Sequence, residues 1–231
     1  MSKIIKIKKG LDINLQGKAE AKVTALPMAT SYAVSPLDFE GVVPKLLVKA
    51  GEQVKAGDAL FFSKNDSRVL FTSPVSGTVT AVNRGEKRKV LNVTVQPDAT
   101  QSYKEFDVPA IEKASKEDAT KLLLEAGLWP LIIQRPYGII ANPDDQPKAI
   151  FVSGFDSVPL AADYDVVLAN DKANLQKGFD VLARLTSGKV HLSLNAKAEN
   201  KVFEGLKGVE IHEFAGPHPA GNVGVQIHHI D

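Results

Sequence analysis

The sequence predicts two units of different class in one chain: an all-β unit over residues 1–100 and an α/β unit with a parallel sheet over residues 110–231, joined by a linker at 101–109. Three observations predict it. Short Val/Ile/Leu runs broken by Gly, Pro, Asn and Asp fill the first hundred residues, the pattern of small barrels and sandwiches. From Ser115 the apolar period lengthens to near 3.6, and strand-like runs then alternate with helix-like ones, which argues for a parallel sheet covered by helices. Charge divides at the same place. Residues 1–100 hold fifteen Lys/Arg against nine Asp/Glu and residues 101–231 hold thirteen against eighteen, so the halves carry +6 and −5.

In the first unit the expected strands are Ile4–Lys8, Val42–Val48, Ala59–Ser63, Val69–Ser73, Gly77–Asn83 and Val90–Gln96. Gly51 and Gly57, each followed by an acidic residue, fall where turns need positive φ. In the second unit Ser115 caps a helix whose first turn holds Glu117 and Asp118. Ala119, Leu122, Leu123 and Ala126 form its face, and Gly127 ends it. There follow strands at Ala149–Ser153 and Asp165–Ala169, and a helix at Asn174–Ser187 with Leu175, Phe179, Leu182 and Leu185 on one side. A strand at Lys189–Leu194, a short helix at Ala198–Gly205 and a strand at Val209–Phe214 complete the pattern.

Composition excludes several function classes. Zero cysteines rule out disulfides, iron–sulfur clusters and thiolate metal sites on this chain. The most apolar stretch, Leu128–Ala141, is broken by Gln134, Arg135 and two prolines, so it does not read as a membrane span. The start lacks the apolar core of a secretory signal, so a cytoplasmic location is expected. Neither half is basic enough to argue for nucleic acid. No Ser/His/Asp set, carboxylate pair or His-x-x-x-His element has usable spacing, and no metal site is expected.

Val48–Val79 is the most informative stretch. Lys49-Ala50-Gly51 and Lys55-Ala56-Gly57 precede an apolar strand, a polar turn, a second apolar strand and Ser73-Pro74-Val75-Ser76-Gly77. That order resembles the biotinyl/lipoyl carrier fold, a barrel-sandwich hybrid whose hairpin turn presents a lysine for a covalently attached swinging cofactor. Alignment on Gly51, Gly57 and Pro74 puts Asp66 at the carrier-lysine position, between Asn65 and Ser67, with Lys64 two residues away. The expectation is a rigid module with no carrier lysine.

Four blocks in order resemble one family, the A subunit of the sodium-translocating NADH:quinone oxidoreductase. They are Ile7-Lys8-Lys9-Gly10-Leu11-Asp12, then Pro74-Val75-Ser76-Gly77 with Asn83-Arg84-Gly85-Glu86-Lys87-Arg88, then Glu125-Ala126-Gly127-Leu128-Trp129-Pro130 with Arg135-Pro136, and Gly216-Pro217-His218-Pro219-Ala220-Gly221. The resemblance implies a biotinyl/lipoyl-like barrel-sandwich hybrid followed by a Rossmann-like α/β domain similar to the flavin-binding subunit of respiratory complex I. It implies a peripheral subunit on the cytoplasmic face of the bacterial inner membrane, in a complex that couples NADH–ubiquinone electron transfer to Na⁺ export. Partners would be the other subunits, especially the membrane flavoprotein. Flavins and iron–sulfur centres would lie on those partners, with ubiquinone the one small molecule that could reach this chain. Family members are about twice as long, so a C-terminal part of the family is expected outside this sequence. Two other readings stay open: a flavin- or NADH-binding electron-transfer domain, and a biotinyl or lipoyl carrier protein.

Several residues are candidates for contact. His218, in a loop after the strand ending at Phe214, lies where ligands of open α/β sheets bind and could hydrogen-bond a quinone carbonyl. Arg135 and Tyr137 could hold a quinone head group or meet a partner. Arg84, Lys87, Arg88 and Lys89 form a basic tip suited to an acidic partner or anionic lipid. The loop Ser153-Gly154-Phe155-Asp156-Ser157 has one glycine, lacks a dinucleotide fingerprint and carries a Phe that would crowd a pyrophosphate. Ser76-Gly77-Thr78 lacks the alanine of a flavinylation site. His228-His229, read as part of a strand, would point to opposite faces and could not chelate one ion.

Overall fold

The structure, a computed structural model, describes residues 4–17, 19–108 and 113–231. Residues 109–112, at the end of the expected linker and the start of the expected second unit, lie outside them. The described chain forms two compact units. One gathers residues 4–25, 113–116 and 146–231, and the other residues 26–108 and 117–145.

The chain begins in the α/β unit. Strand β1 (Ile5–Lys6), expected among the first unit's strands, instead pairs in parallel with a strand at the far end of the chain, and the Ile7 N–H donates to Ala215 O over 2.8 Å. Ile7 and Phe214 are both buried there, and that apolar burial fixes where the strand goes.

The β unit consists of β2 (Tyr32–Val34), β3 (Pro44–Leu46), β4 (Gln53–Val54), β5 (Ala59–Ser63), β6 (Asp66–Thr72), β7 (Gly77–Arg84) and β8 (Val90–Pro97). They form two antiparallel sheets, ordered β2-β8-β7-β4 and β3-β5-β6. Leu60, Phe61, Val69, Phe71, Val79, Val93 and Val95 supply the buried core, with the Phe61 and Phe71 rings stacked at 4.7 Å. The two Lys-Ala-Gly units make the same turn twice. Gly51 and Gly57 have φ of 92° and 94°, as a type II turn requires. Each following carboxylate reaches back to its lysine N–H, Glu52 to Lys49 at 3.0 Å and Asp58 to Lys55 at 2.7 Å.

The start of the expected linker is fastened to this unit. Tyr103 bridges to Ala56, the Ser102 N–H donates to Ser76 Oγ over 2.9 Å, and Gln101 both donates to and accepts from the Ser76 backbone. Helix α1 (Lys116–Glu125) and the hairpin β9 (Ile133–Gln134) with β10 (Ile139–Ile140) follow, and by their contacts residues 117–145 group with the compact unit that holds the β sheets. Trp129 is buried there with its indole N–H on Ala141 O at 2.7 Å. Gly127 closes α1 in a Schellman arrangement, with Leu128 N–H on Leu123 O and Gly127 N–H on Leu124 O.

The α/β unit resumes with β11 (Ile150–Ser153), α2 (Tyr164–Val167), α3 (Lys172–Arg184), β12 (Val190–Asn195), β13 (Glu210–Ala215) and α4 (Val223–Ile230). Its sheet is wholly parallel in the order β1-β13-β12-β11. Val190, Leu192 and Leu194 face α3 through Phe179. Phe214 and Ile7 pack with Ala220 and, on α4, Val225.

Three expectations fail here. Asp165–Ala169 is not a strand, because Asp163 caps the Asp165 N–H and starts α2 despite the β-branched Val166 and Val167. Ala198–Gly205 yields one 3₁₀ turn, Lys201–Phe203, behind a left-handed Asn200. The chain's end is a helix, capped by Asn222, and not a strand.

Candidate functional site

The carboxyl ends of β11 and β13 carry the richest polar constellation of the α/β unit. The Ser157 hydroxyl lies 3.0 Å from His218 Nδ1 and accepts the Gly221 N–H at 2.8 Å. Ser153 Oγ sits 2.8 Å from Phe155 O and 3.1 Å from Gly221 O, and accepts from Gln226 Nε2. Gln226 is fully buried; its Nε2 also donates to Ala220 O. A second strap holds His218 from the amino-terminal side, since Asp12 accepts its backbone N–H at 2.9 Å and Leu11 donates to its carbonyl at 3.0 Å. Gly10 makes that strap feasible, because a Cβ there would stand 2.0 Å from His218 O. The imidazole is thus fixed through Nδ1, which leaves Nε2 as the ring atom available to a ligand. Phe155 packs against the apolar cluster of Ile7, Phe214 and Ala220.

In the β unit the carrier-like hairpin differs from the sequence alignment. Ser63 pairs with Asp66, so the turn is Lys64-Asn65, and an exposed lysine stands at the tip. Asp66 is the first residue of β6. It is held by Arg68, which also forks onto Asp144 at 2.8 and 2.7 Å. The Arg68 hydrogen bonds keep the Asp66 carboxyl below the usual carboxylate range, and the two carboxylates, Asp144 foremost, push the Arg68 guanidinium pKa upward. The tip itself is tied down: Lys64 N–H donates to Val43 O at 2.8 Å and the Asn65 amide to Gly41 O at 3.2 Å.

Arg84, Lys87, Arg88 and Lys89 occupy the exposed end of the β7–β8 hairpin. Arg84 donates to Arg88 O at 3.0 Å, and Lys87 and Arg88 both adopt left-handed φ, 51° and 62°. Arg135 and Tyr137 lie in the β9–β10 turn of the same unit, Tyr137 being 72% exposed. They belong to a different unit from His218. Leu128 and Leu131, just before the hairpin, and Ile133 and Ile139 on it are also exposed.

One grouping does not follow from the sequence. His191 on β12 and Glu210 and His212 on β13 come together, with His191 Nδ1 2.9 Å from His212 Nε2 and Glu210 Oε1 3.8 Å from the same nitrogen. Burial depresses the His212 pKa, the adjacent His191 adds to this, and Glu210 opposes it. Glu210 lies below its usual range through its hydrogen bond with Lys189. Glu210 and His212 share a face by their spacing of two, which is readable from sequence; the approach of His191 depends on strand register, which is not. His228 and His229 lie at the exposed end of α4, and His229 Nδ1 is spent on Val225 O.

Fold and loops together define the class: a two-domain chain that joins a barrel-sandwich hybrid to an α/β unit with a parallel sheet. Residues 5–98 match the NqrA N-terminal barrel-sandwich hybrid domain, and residues 114–231 match the NqrA second alpha/beta domain. The A subunit of the Na(+)-translocating NADH-quinone reductase of Photorhabdus laumondii subsp. laumondii is 38% identical over 230 residues, covering 99% of this chain and 51% of that protein. The proteins of the same name from Yersinia pseudotuberculosis and Neisseria gonorrhoeae are 37% identical over the same extent. The chain belongs to the NqrA family, the A subunits of Na(+)-translocating NADH-quinone reductases, and it spans about half the length of the curated relatives it matches. No helix among the described residues is long and apolar enough to cross a membrane.

Proposed function

We propose that this chain acts in a Na⁺-translocating NADH:quinone reductase as a peripheral docking part on the cytoplasmic face of the membrane, its partners being the membrane flavoprotein and other subunits. Flavins and iron–sulfur centres reside on those partners, and electron transfer to ubiquinone is coupled there to Na⁺ export. The observation that carries the docking role is a run of exposed large apolar side chains close in sequence, Leu128, Leu131, Ile133, Tyr137 and Ile139, on and just before the β9–β10 hairpin, because exposed apolar surface favours a protein partner. Arg135 in that hairpin and the basic tip at Arg84, Lys87, Arg88 and Lys89 supply charge for an acidic partner surface or anionic lipid.

His218 is the quinone-proximal residue of this reading. In the tautomer whose Nδ1 accepts from the Ser157 hydroxyl, the ring proton is on Nε2 and can donate to a quinone carbonyl. A Rossmann-like origin of the α/β unit, akin to the complex I flavin-binding subunit, is part of this reading and is supported by its wholly parallel sheet. Co-expression of this chain with the membrane subunits tests the docking role: an affinity tag on it should retain the flavoprotein subunits. Their absence from the eluate refutes it.

A second reading is favoured by Lys64. Its position at the hairpin tip suits a biotinyl or lipoyl carrier, whereas the bonds from Lys64 to Val43 and from Asn65 to Gly41 hold the turn closed. Intact mass after co-expression with biotin and lipoate ligases separates the two.

A further inference from the structure

We propose that His191, Glu210 and His212 form a binding site for a divalent transition-metal ion of the zinc class. The register of β12 and β13 pairs His191 with Glu210 and Ser193 with His212, so all three candidate ligands project from one face of the parallel sheet. This is the face that carries Phe214 toward α4, and the three residues lie at the opposite end of the strands from the Ser157–His218 loops.

Two imidazoles and a carboxylate are a donor set that borderline ions such as Zn²⁺ take up, with a fourth position for water. The donor atoms already converge, since one atom from each residue lies within 4.8 Å of the others. A tetrahedral zinc at 2.0–2.1 Å holds its imidazole nitrogens roughly 3.3 Å apart, so the observed 2.9 Å needs to open by only about 0.4 Å. Several contacts preset the geometry. Phe151 stacks on the His191 ring at 4.7 Å and 14°, fixing its plane. Lys189 takes Glu210 Oε2 at 2.5 Å and leaves Oε1 turned to His212, the outer-shell arrangement that orients a ligating carboxylate. A cleft of about 560 Å³ lined by Ile4, Ile5, Lys6, Ile211 and His229 opens onto Glu210 and His212 and gives an ion and its water a route in. Hard ions are excluded as occupants, because Na⁺, Mg²⁺ and Ca²⁺ favour oxygen donors over imidazole.

The proposal stands independently of the docking role. Its test is titration of the EDTA-treated, desalted full chain with Zn²⁺ by calorimetry and with Co²⁺ by visible spectroscopy. The expected result is one Zn²⁺ per chain and a ligand-field band with Co²⁺. Loss of an outer-shell partner already costs 10–100-fold, so His212→Gln and His191→Gln should each weaken binding by about 100-fold or more. His228→Gln should leave it unchanged, and Mg²⁺ should not compete. Circular dichroism establishes that the variants are folded; if His191→Gln is not, His212→Gln and Glu210→Gln carry the test. No saturable binding by the wild-type chain overturns the proposal, and so does full affinity in folded His212→Gln. In either case the two rings share only an N–H···N hydrogen bond.

Discussion

Ser63 pairs with Asp66 across the β5–β6 hairpin, which leaves Lys64 and Asn65 as its two-residue turn. The register between Phe62 and Ser63 is irregular, and that irregularity shifts the tip from where residue counting places it. The turn is nevertheless fastened at both residues. Expressed with biotin and lipoate ligases, the chain should retain its unmodified mass; an adduct mapped to Lys64 would make it a carrier.

Arg68 bridges Asp66 and Asp144 within the β unit. Arg68 and Asp144 are substantially exposed, so Arg68→Met should cost only about 1 kcal/mol at pH 7 in urea unfolding. The pH dependence follows from Asp66, whose folded pKa lies below its unfolded one. Its contribution is fully present above the ordinary carboxylate pKa and is lost as pH falls through the folded value. The gap between wild type and Arg68→Met should therefore narrow at strongly acidic pH.

Gly127 has φ of 68°, and a Cβ on it would stand 2.4 Å from Thr72 Cγ2. Gly127→Ala should destabilise the chain by about 2–4 kcal/mol, from backbone strain and overpacking together. Thr72→Ala in the same chain, which removes both Cγ2 and the hydroxyl at 2.8 Å, should recover the overpacking part only. Thermal unfolding of the single and double variants measures both parts.

Gly10→Ala should push residues 10–12 away from His218, whose carbonyl would be 2.0 Å from the new Cβ. The expected outcome is faster amide exchange at Leu11 and at His218, the two donors of that strap, with the exchange of β12 amides unchanged.

Leu131→Glu and Ile133→Glu alter side chains that are 71% and 44% exposed. Each should change stability by no more than about 0.5 kcal/mol while weakening retention of the membrane subunits. Equal loss of stability and retention would assign the hairpin to folding instead.

Much of this architecture is legible where local chemistry decides it. The two Lys-Ala-Gly turns, the stop of α1 at Gly127 and the α3 face around Phe179 each follow from neighbours in sequence. What stays hidden depends on distant pairing. Ile5 joins β13 across most of the chain, and His191 meets His212 only through strand register. Local capping also overrides propensity, as Asp163 turns a Val-Val segment into a helix.

The docking role is tested most directly by isolating the complex from membranes that contain either this protein or a version with Leu131→Glu and Ile133→Glu together. Docking through the hairpin predicts that the wild type holds the flavoprotein subunits through purification with Na⁺-stimulated quinone reduction intact, and that the folded double variant loses both. Retention of subunits and activity by the double variant would contradict it.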